Sequence, residues 1–203
     1  MKEEYRVIDN FIADKEYYKE LENGIMSWEF PWNYLDSVTK VAAEVDSIDT
    51  SGMSHLLYYV EREEEPSQYY KYIHPLLEQI MEEAGACKIL RARVDAVLSL
   101  QYFSNPEFEP HVDLSHLPNI SAVFYIGDSD GDTIIYRNTL PVGGRDGDVP
   151  GNLEELVRVS PKANRLVLFK GEHWHTGCRP TNGRRVLINS NYLVNENNQV
   201  EHN

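Results

Sequence analysis

The stretch Glu109-Pro110-His111-Val112-Asp113 carries an imidazole and a carboxylate two residues apart. In an extended chain, residues i and i+2 point to the same side, so His111 and Asp113 can reach one metal ion while Val112 points away. The later stretch Gly171-Glu172-His173-Trp174-His175-Thr176-Gly177 adds two further histidines. Two imidazoles and one carboxylate on one face of an octahedral ion leave its other positions open. We therefore predict a metal site with an open, reactive face.

The identity of the remaining histidine ligand is open at this point. His173 and His175 share a face if their segment is extended, so strand parity does not choose between them. His116 also lies close to the first pair, and a zinc-type His111-x-Asp113-x-x-His116 grouping is an alternative. The residues alone therefore give two ligands and three candidates for the third.

From Lys88 onward the sequence consists of short runs typical of β-strands, separated by clusters of Gly, Pro, Asn and Asp. Many short strands of this kind indicate a β-sandwich or a β-barrel. Residues 141–152 are predicted to form an exposed loop between two of them. The predicted strands cover residues 88–103, 109–113, 119–126, 132–137, 154–159, 165–170 and 184–193.

The first part of the chain is predicted to be mainly helical. A short strand over residues 5–9 precedes a helix over residues 14–23, and apolar residues on one face predict a second helix over 67–84. A glycine follows each helix as a plausible end, and Pro75 must kink the second helix or begin its second half. Residues 30–60 mix aromatic residues with polar turns, which favours a loop that covers something.

The length of the chain, 203 residues, suffices for one well-buried core. We expect a single domain over residues 1–203. Residues 1–86 are its N-terminal helical embellishment, and residues 87–195 are its β core.

The charge balance bears on partners and location. There are 19 Lys and Arg against 33 Asp and Glu, a net charge of −14 that repels a phosphate backbone, so we expect no nucleic-acid partner. No apolar run approaches the ~20 residues of a membrane span, and the charged N-terminus lacks the apolar stretch of a secretory signal. Cys87 and Cys178 match no zinc spacing, which suits a reducing compartment. We expect a cytoplasmic protein without a membrane partner.

The ordered set of motif residues resembles a known family. His111-x-Asp113, then His175, then Arg185 ten positions on, is similar to the pattern of the Fe(II)- and 2-oxoglutarate-dependent dioxygenases, in particular their small prolyl 4-hydroxylase-like branch. The resemblance covers roughly residues 90–195, and the segments 164–169 and 185–192 resemble phage-encoded members. It implies a mostly β fold with flanking helices, in which the N-terminal helices pack on one sheet of a double-stranded β-helix, or jelly roll.

The resemblance also implies a metal and a reaction. His111, Asp113 and His175 would bind Fe(II) as the catalytic centre, and the spacing to Arg185 selects His175 over His173. With O2 as second cosubstrate, 2-oxoglutarate would be decarboxylated to succinate and CO2 while a C–H bond of the substrate is hydroxylated. Ascorbate is a candidate reductant.

Four further residues concern the cosubstrate. The planar guanidinium of Arg185 suits the distal carboxylate of 2-oxoglutarate, and Asn189 lies on the same strand face. If strand parity were reversed, Arg184 would take this role. Tyr102 stands nine residues before His111, where related enzymes often place a tyrosine that hydrogen-bonds the cosubstrate, although a core tyrosine needs a partner equally.

The sequence leads to two hypotheses about the function. The favoured one is a dioxygenase that hydroxylates a small-molecule or peptide substrate, for which a peptidyl proline or other amino-acid side chain is the family analogy. The alternative is a non-catalytic cupin-like module that binds a metal or another ligand, since fold does not fix function. Residues 129–133 also resemble the Gly-Gly-x-Thr turn of prolyl hydroxylase relatives, with Asp130 in place of the first glycine.

Overall fold

The computed structural model describes residues 3–38, 51–63, 65–99, 107–145 and 149–194. Within these ranges there are two helices, α1 (Lys15–Ile25) and α2 (Tyr70–Ala84). The strands are β1 (Tyr5–Asp9), β2 (Asn33–Leu35), β3 (Gly52–Tyr59), β4 (Lys88–Leu98), β5 (Asn119–Tyr125), β6 (Thr133–Thr139), β7 (Glu155–Val159), β8 (Arg165–Lys170), β9 (His173–Gly177) and β10 (Arg184–Leu193).

The strands form two antiparallel sheets. The major sheet has the order β1-β8-β5-β10-β4-β3-β2, and the minor sheet has the order β7-β6-β9. Side chains from both sheets share one buried apolar cluster, which includes Val123, Ile135 and Leu187, so the two sheets pack face to face. The predicted mostly β, jelly-roll fold is confirmed.

The opposite face of the major sheet packs on the helices. Alternate residues of its strands, such as Ala122 and Phe124 of β5, join one large cluster with the buried faces of α1 and α2. The alternation follows from the two-residue period of a strand. The helices therefore cover one side of the major sheet, as predicted, and leave its other side to the space between the sheets.

Both helices begin and end for local reasons. The Asp14 side chain accepts hydrogen bonds from the backbone N–H groups of Glu16 and Tyr17, at 2.9 and 3.1 Å, which caps the start of α1. Gly85 adopts φ of 64° and ends α2 in the left-handed conformation that glycine tolerates best. Helix α2 continues through Pro75 to Ala84.

The N-terminal region contributes more β structure than the sequence indicated. Residues 30–60 were predicted to be a loop, which is wrong for β2 and β3, because β3 pairs with β4 inside the major sheet. A register shift between Leu56 and Tyr58 breaks the two-residue apolar period, so the strand pattern was hidden. Residues 39–50 lie outside the described residues.

Two other local predictions need correction. The 109–113 segment is not a strand, because only His111 forms an isolated bridge there. Helix α1 passes through Gly24 and ends at Ile25. Strand β9 was not among the predicted strands, although its extended conformation had been considered for the two histidines. In the described part of the chain, no helix is both long and apolar enough to cross a membrane.

Candidate metal centre and cosubstrate pocket

An isolated backbone bridge brings His111 and His175 together. His111 N–H donates to the His175 carbonyl at 2.9 Å, and His175 N–H donates to the His111 carbonyl at 3.0 Å. This reciprocal bridge places the two side chains beside each other, with ring centroids 4.6 Å apart. The pairing of β9 with β6 in turn fixes His175 to the minor sheet.

Asp113 completes the group although its segment is not a strand. A bend after the bridge turns its carboxylate towards both rings. Its oxygens lie 3.9 Å from His111 Nε2 and 3.7 Å from His175 Nε2. One ligand atom from each of the three residues lies within 4.8 Å of the others, a spacing that can hold a metal ion. Val112 points the opposite way, into an apolar cluster on the outer side of the minor sheet.

Hydrogen bonds fix which imidazole nitrogen is free to bind. His111 Nδ1 lies 3.2 Å from the Glu109 carbonyl, and His175 Nδ1 lies 3.0 Å from the His173 carbonyl. Because a carbonyl only accepts, each Nδ1 carries the proton, and each Nε2 presents a lone pair. Burial, with the neighbouring His175, lowers the pKa of His111 to about 3, and burial also lowers the pKa of His175. Both rings are therefore neutral at pH 7, as metal binding requires.

The Asp113 carboxylate is held from the major sheet. Arg91 Nη2 donates to its Oδ1 at 2.6 Å, and Asn191 Nδ2 donates to its Oδ2 at 3.2 Å. Arg91 Nε also donates to Asn191 Oδ1 at 3.1 Å, so the two supporting residues fix each other. Burial alone would raise the pKa of Asp113, but Arg91 and the nearby histidines lower it well below its usual value. The carboxylate is ionised and oriented before any metal arrives.

Replacing Arg91 with methionine is expected to lower the affinity for Fe(II) by about 10- to 100-fold, the range typical of residues that orient a ligand. The reason is that Asp113 would lose both its neutralising charge and its strongest hydrogen bond. Anaerobic metal titration measures the change. Arg137→Met is the matched control, because Arg137 is exposed and pairs with Glu154 at the surface. Equal metal affinity in Arg91→Met and in the unaltered protein would contradict the role.

The other histidine candidates lie outside this group. His173 is 2% exposed, and its Nδ1 lies 2.7 Å from the Tyr136 carbonyl, which makes it part of the minor sheet's packing. His116 is exposed and bonds to Glu61. Among the described residues, the potential metal-binding group comprises His111, Asp113 and His175 and includes neither alternative.

A pocket lies beside the three ligands, between the sheets. Arg185, Leu187 and Asn189, on one face of β10, line it together with His111 and His175. Two buried polar atoms of this wall, Arg185 Nε and Asn189 Oδ1, have no hydrogen-bond partner within the described part of the protein. Because a buried polar group without a partner is costly, such atoms mark a place where a ligand would complete the hydrogen bonding.

The guanidinium of Arg185 is fixed by two residues that the sequence prediction missed. Arg185 Nη2 donates to Thr133 Oγ1 at 2.7 Å, and Tyr125 donates its phenol hydrogen to the same oxygen at 2.6 Å. Thr133 thus accepts twice and keeps its own hydroxyl hydrogen for another acceptor. A Cβ added to Gly177 would lie 3.0 Å from Arg185 Nη1, so the backbone is also close to the guanidinium. A carboxylate would match this cluster of donors.

Two predicted cosubstrate residues, Arg184 and Tyr102, remain to be placed. Arg184 is exposed, so strand parity places Arg185 in the pocket and its neighbour in solvent. Tyr102 lies outside the described residues. The signal that could have found Thr133 was the turn over residues 129–133, whose likeness to a Gly-Gly-x-Thr turn includes this threonine. For Tyr125 the signal was its position at the end of a buried strand, with a phenol that needs a partner.

Comparison with known proteins shows which family this part of the chain matches. Residues 98–193 match the sequence profile of the 2OG-Fe(II) oxygenase superfamily, and this range contains the three potential ligands and Arg185. This part of the chain is a 2OG-Fe(II) oxygenase domain. The comparison with curated protein sequences found no match.

Solved structures of 2OG-Fe(II) oxygenases share the fold. A 2OG-Fe(II) oxygenase family oxidoreductase from Burkholderia pseudomallei has a TM-score of 0.62 and 12% identity, over 95% of this chain and 88% of that one. A prolyl hydroxylase from Trichoplax adhaerens, in complex with a hypoxia inducible factor peptide fragment, has a TM-score of 0.57 and 14% identity, over 100% and 89%. The epimerase SnoN from nogalamycin biosynthesis has a TM-score of 0.66 and 13% identity, over 95% and 79%.

The donor set agrees with the cofactors of a 2OG-Fe(II) oxygenase. Two neutral imidazoles and one ionised carboxylate form the facial set that non-heme Fe(II) prefers, and the open donor of Arg185 suits an oxo acid. The predicted enzyme class is confirmed. The protein is a 2-oxoglutarate-dependent oxidoreductase that uses Fe(II).

Proposed function

We propose that the protein hydroxylates an unactivated C–H bond, with Fe(II) held by His111, Asp113 and His175 and with 2-oxoglutarate anchored by Arg185. The observation that carries this proposal is the convergence of three ligand atoms within 4.8 Å, next to a buried guanidinium with an open hydrogen-bonding position. When bound, Fe(II) with 2-oxoglutarate and O2 supplies the oxidising power that such a bond requires.

The protein's own residues bind and orient the reactants. Arg185 pairs with the distal carboxylate of 2-oxoglutarate, while the free hydroxyl hydrogen of Thr133 adds a second donor to it. Tyr125 keeps Thr133 in place, and burial raises the pKa of Tyr125, so its phenol remains a donor at neutral pH. Asn189 completes the wall, and Tyr102 is the further hydrogen-bonding residue that we propose for the cosubstrate.

The domain boundaries belong to the same proposal. We propose that residues 1–203 work as one domain, because β1, β2 and β3 from the first 86 residues lie in the same sheet as β4, β5, β8 and β10. The N-terminal embellishment 1–86 is therefore joined to the core 87–195 by hydrogen bonds between strands.

The substrate that we propose is an amino-acid side chain, with a peptidyl proline as the first case to test. Its support is the structural likeness to a prolyl hydroxylase in complex with a peptide fragment. Membership of the small phage-encoded branch, a cytoplasmic location and the absence of a nucleic-acid partner remain proposals that rest on the sequence alone.

The deciding experiment adds Fe(II) and 2-oxoglutarate to the purified protein without oxygen and records the visible spectrum. A metal-to-ligand charge-transfer band is expected, and oxygen should then produce succinate and CO2. A folded, iron-loaded protein that shows neither the band nor succinate would favour the alternative, a non-catalytic cupin-like module.

A further inference from the structure

A second arginine faces the pocket from the strand beside β10. Strand β4 pairs with β10 so that Arg93 lies opposite Asn189 and Asp95 lies opposite Leu187. Because paired residues of an antiparallel sheet point to the same face, both charged side chains project to the side that carries the metal ligands and Arg185. Arg93 and Asp95 line the pocket together with those residues. The proposed function gives neither of them a role.

The Arg93 guanidinium is positioned by an ion pair, and its hydrogen-bonding capacity is open. Its Nε lies 2.8 Å from Asp95 Oδ2, and Ser54 donates to Asp95 Oδ1 at 2.6 Å, so the Asp95 carboxylate is fixed on both oxygens. The contact with Asp95 is an ion pair and not a well-directed hydrogen bond, because the buried Arg93 Nε has no hydrogen-bond partner among the described residues. Desolvation lowers the pKa of the half-buried Arg93, but Asp95 and Asp113 raise it above its usual value, so its positive charge persists. A planar guanidinium whose donors are open matches a carboxylate in geometry and charge.

The charge balance of the site also favours an acid. Arg91, Arg93 and Arg185 carry three positive charges, while Asp95 and Asp113 carry two negative charges. Fe(II) and the dianion 2-oxoglutarate would cancel each other, so the loaded site keeps one positive charge. In a chain with a net charge of −14, this local excess is informative, because the rest of the molecule repels anions.

We propose that Arg93 binds a carboxylate of the substrate, so that the enzyme acts on an amino acid or peptide that presents a carboxylate near the oxidised C–H bond. This inference rests on the proposed function and narrows its substrate. The carboxylate can be the α-carboxylate of a free amino acid or C-terminus, or an acidic side chain. Both offer Arg93 the same planar pair of oxygens.

The test uses protein loaded with Mn(II), which is paramagnetic, and saturated with 2-oxoglutarate, which fills the site at Arg185. Acetate is added as the probe, and the relaxation of its methyl protons reports binding near the metal. We expect acetate to bind and the neutral isostere acetamide not to bind. In Arg93→Gln, acetate affinity should fall about tenfold or more, since a charged hydrogen-bonded pair is lost. Lys71→Gln, on the exposed side of α2, controls for loss of one positive charge and should leave binding unchanged.

Two results would overturn the inference. One is acetate binding that is absent from the loaded protein or equal in Arg93→Gln. The other is a loss of 2-oxoglutarate affinity in Arg93→Gln as large as that in Arg185→Ala, because Arg93 would then hold the cosubstrate. Failure of the protein to bind Mn(II) and 2-oxoglutarate would instead refute the proposed function, so the two failures are distinct. L-Proline and N-acetyl-L-aspartic acid α-amide, used in the same way, separate the two sources of carboxylate.

Discussion

Substitution of His111 with alanine is expected to lower Fe(II) affinity by more than about 100-fold and to abolish succinate formation. Substitution of a residue that only orients a metal ligand lowers the metal affinity by about 10- to 100-fold. Removal of a ligand itself should therefore lower the affinity by more. The protein should still fold, because the bridge to His175 uses backbone atoms that alanine retains. Anaerobic metal titration and a succinate assay at saturating 2-oxoglutarate measure the two effects.

His116→Ala is the matched control for this prediction. His116 is exposed and bonds to Glu61, and its removal should leave metal affinity and turnover unchanged. The pair of variants also separates the iron site from the zinc-type grouping that includes His116. Continued 2-oxoglutarate-dependent succinate formation by His111→Ala would refute the ligand assignment.

Substitution of Arg185 with alanine is expected to weaken 2-oxoglutarate binding by roughly 10- to 100-fold, because hydrogen bonds to a charged group contribute about 1.5–3 kcal/mol. Metal binding should persist, since no hydrogen bond or ion pair joins Arg185 to the three ligands within the described part of the protein. The anaerobic charge-transfer band, titrated with 2-oxoglutarate, gives the affinity. Arg185→Lys keeps the charge but loses the planar fork, so an intermediate affinity is expected.

Arg184→Ala provides the control one residue away. Arg184 is exposed, whereas Arg185 is 7% exposed and donates to Thr133, so only the latter substitution should change cosubstrate affinity. The opposite result would be a large loss of 2-oxoglutarate affinity in Arg184→Ala and none in Arg185→Ala. It would mean that Arg184, and not Arg185, faces the pocket in solution. Differential scanning calorimetry of both variants shows whether loss of the buried guanidinium also lowers thermal stability.

The sequence predicted those features that depend on local spacing. The strand-like runs of β5 and β10, the Asp14 cap and Gly85 are each written within a few residues, and their elements appear at or near the predicted positions. The His111-x-Asp113 spacing likewise predicted convergence, although the backbone achieves it through a bridge and a bend. Local patterns sufficed because each of these features is satisfied by neighbours along the chain.

Features that depend on pairing between distant segments were not predictable in this way. Strand β3 shows no clear alternation and exists because β4 offers a free edge. Arg91 and Asn191 look like ordinary strand residues until the β4–β10 register sets them beside each other under Asp113. Thr133 acquires its role only when Arg185 and Tyr125 arrive from two other strands. A single sequence does not contain these registers.

The reciprocal bridge between His111 and His175 has a consequence for the order in which the protein is made and loaded. The bridge joins two segments that are distant in the sequence, and His175 reaches it from β9, which pairs with β6 in the minor sheet. Strand pairings of such long range form slowly, and they must exist before the ligands meet. We therefore expect that iron does not nucleate this fold as zinc does in a zinc finger. Iron would enter a site between sheets that have already formed, so its loss would stop the activity of the enzyme without unfolding it.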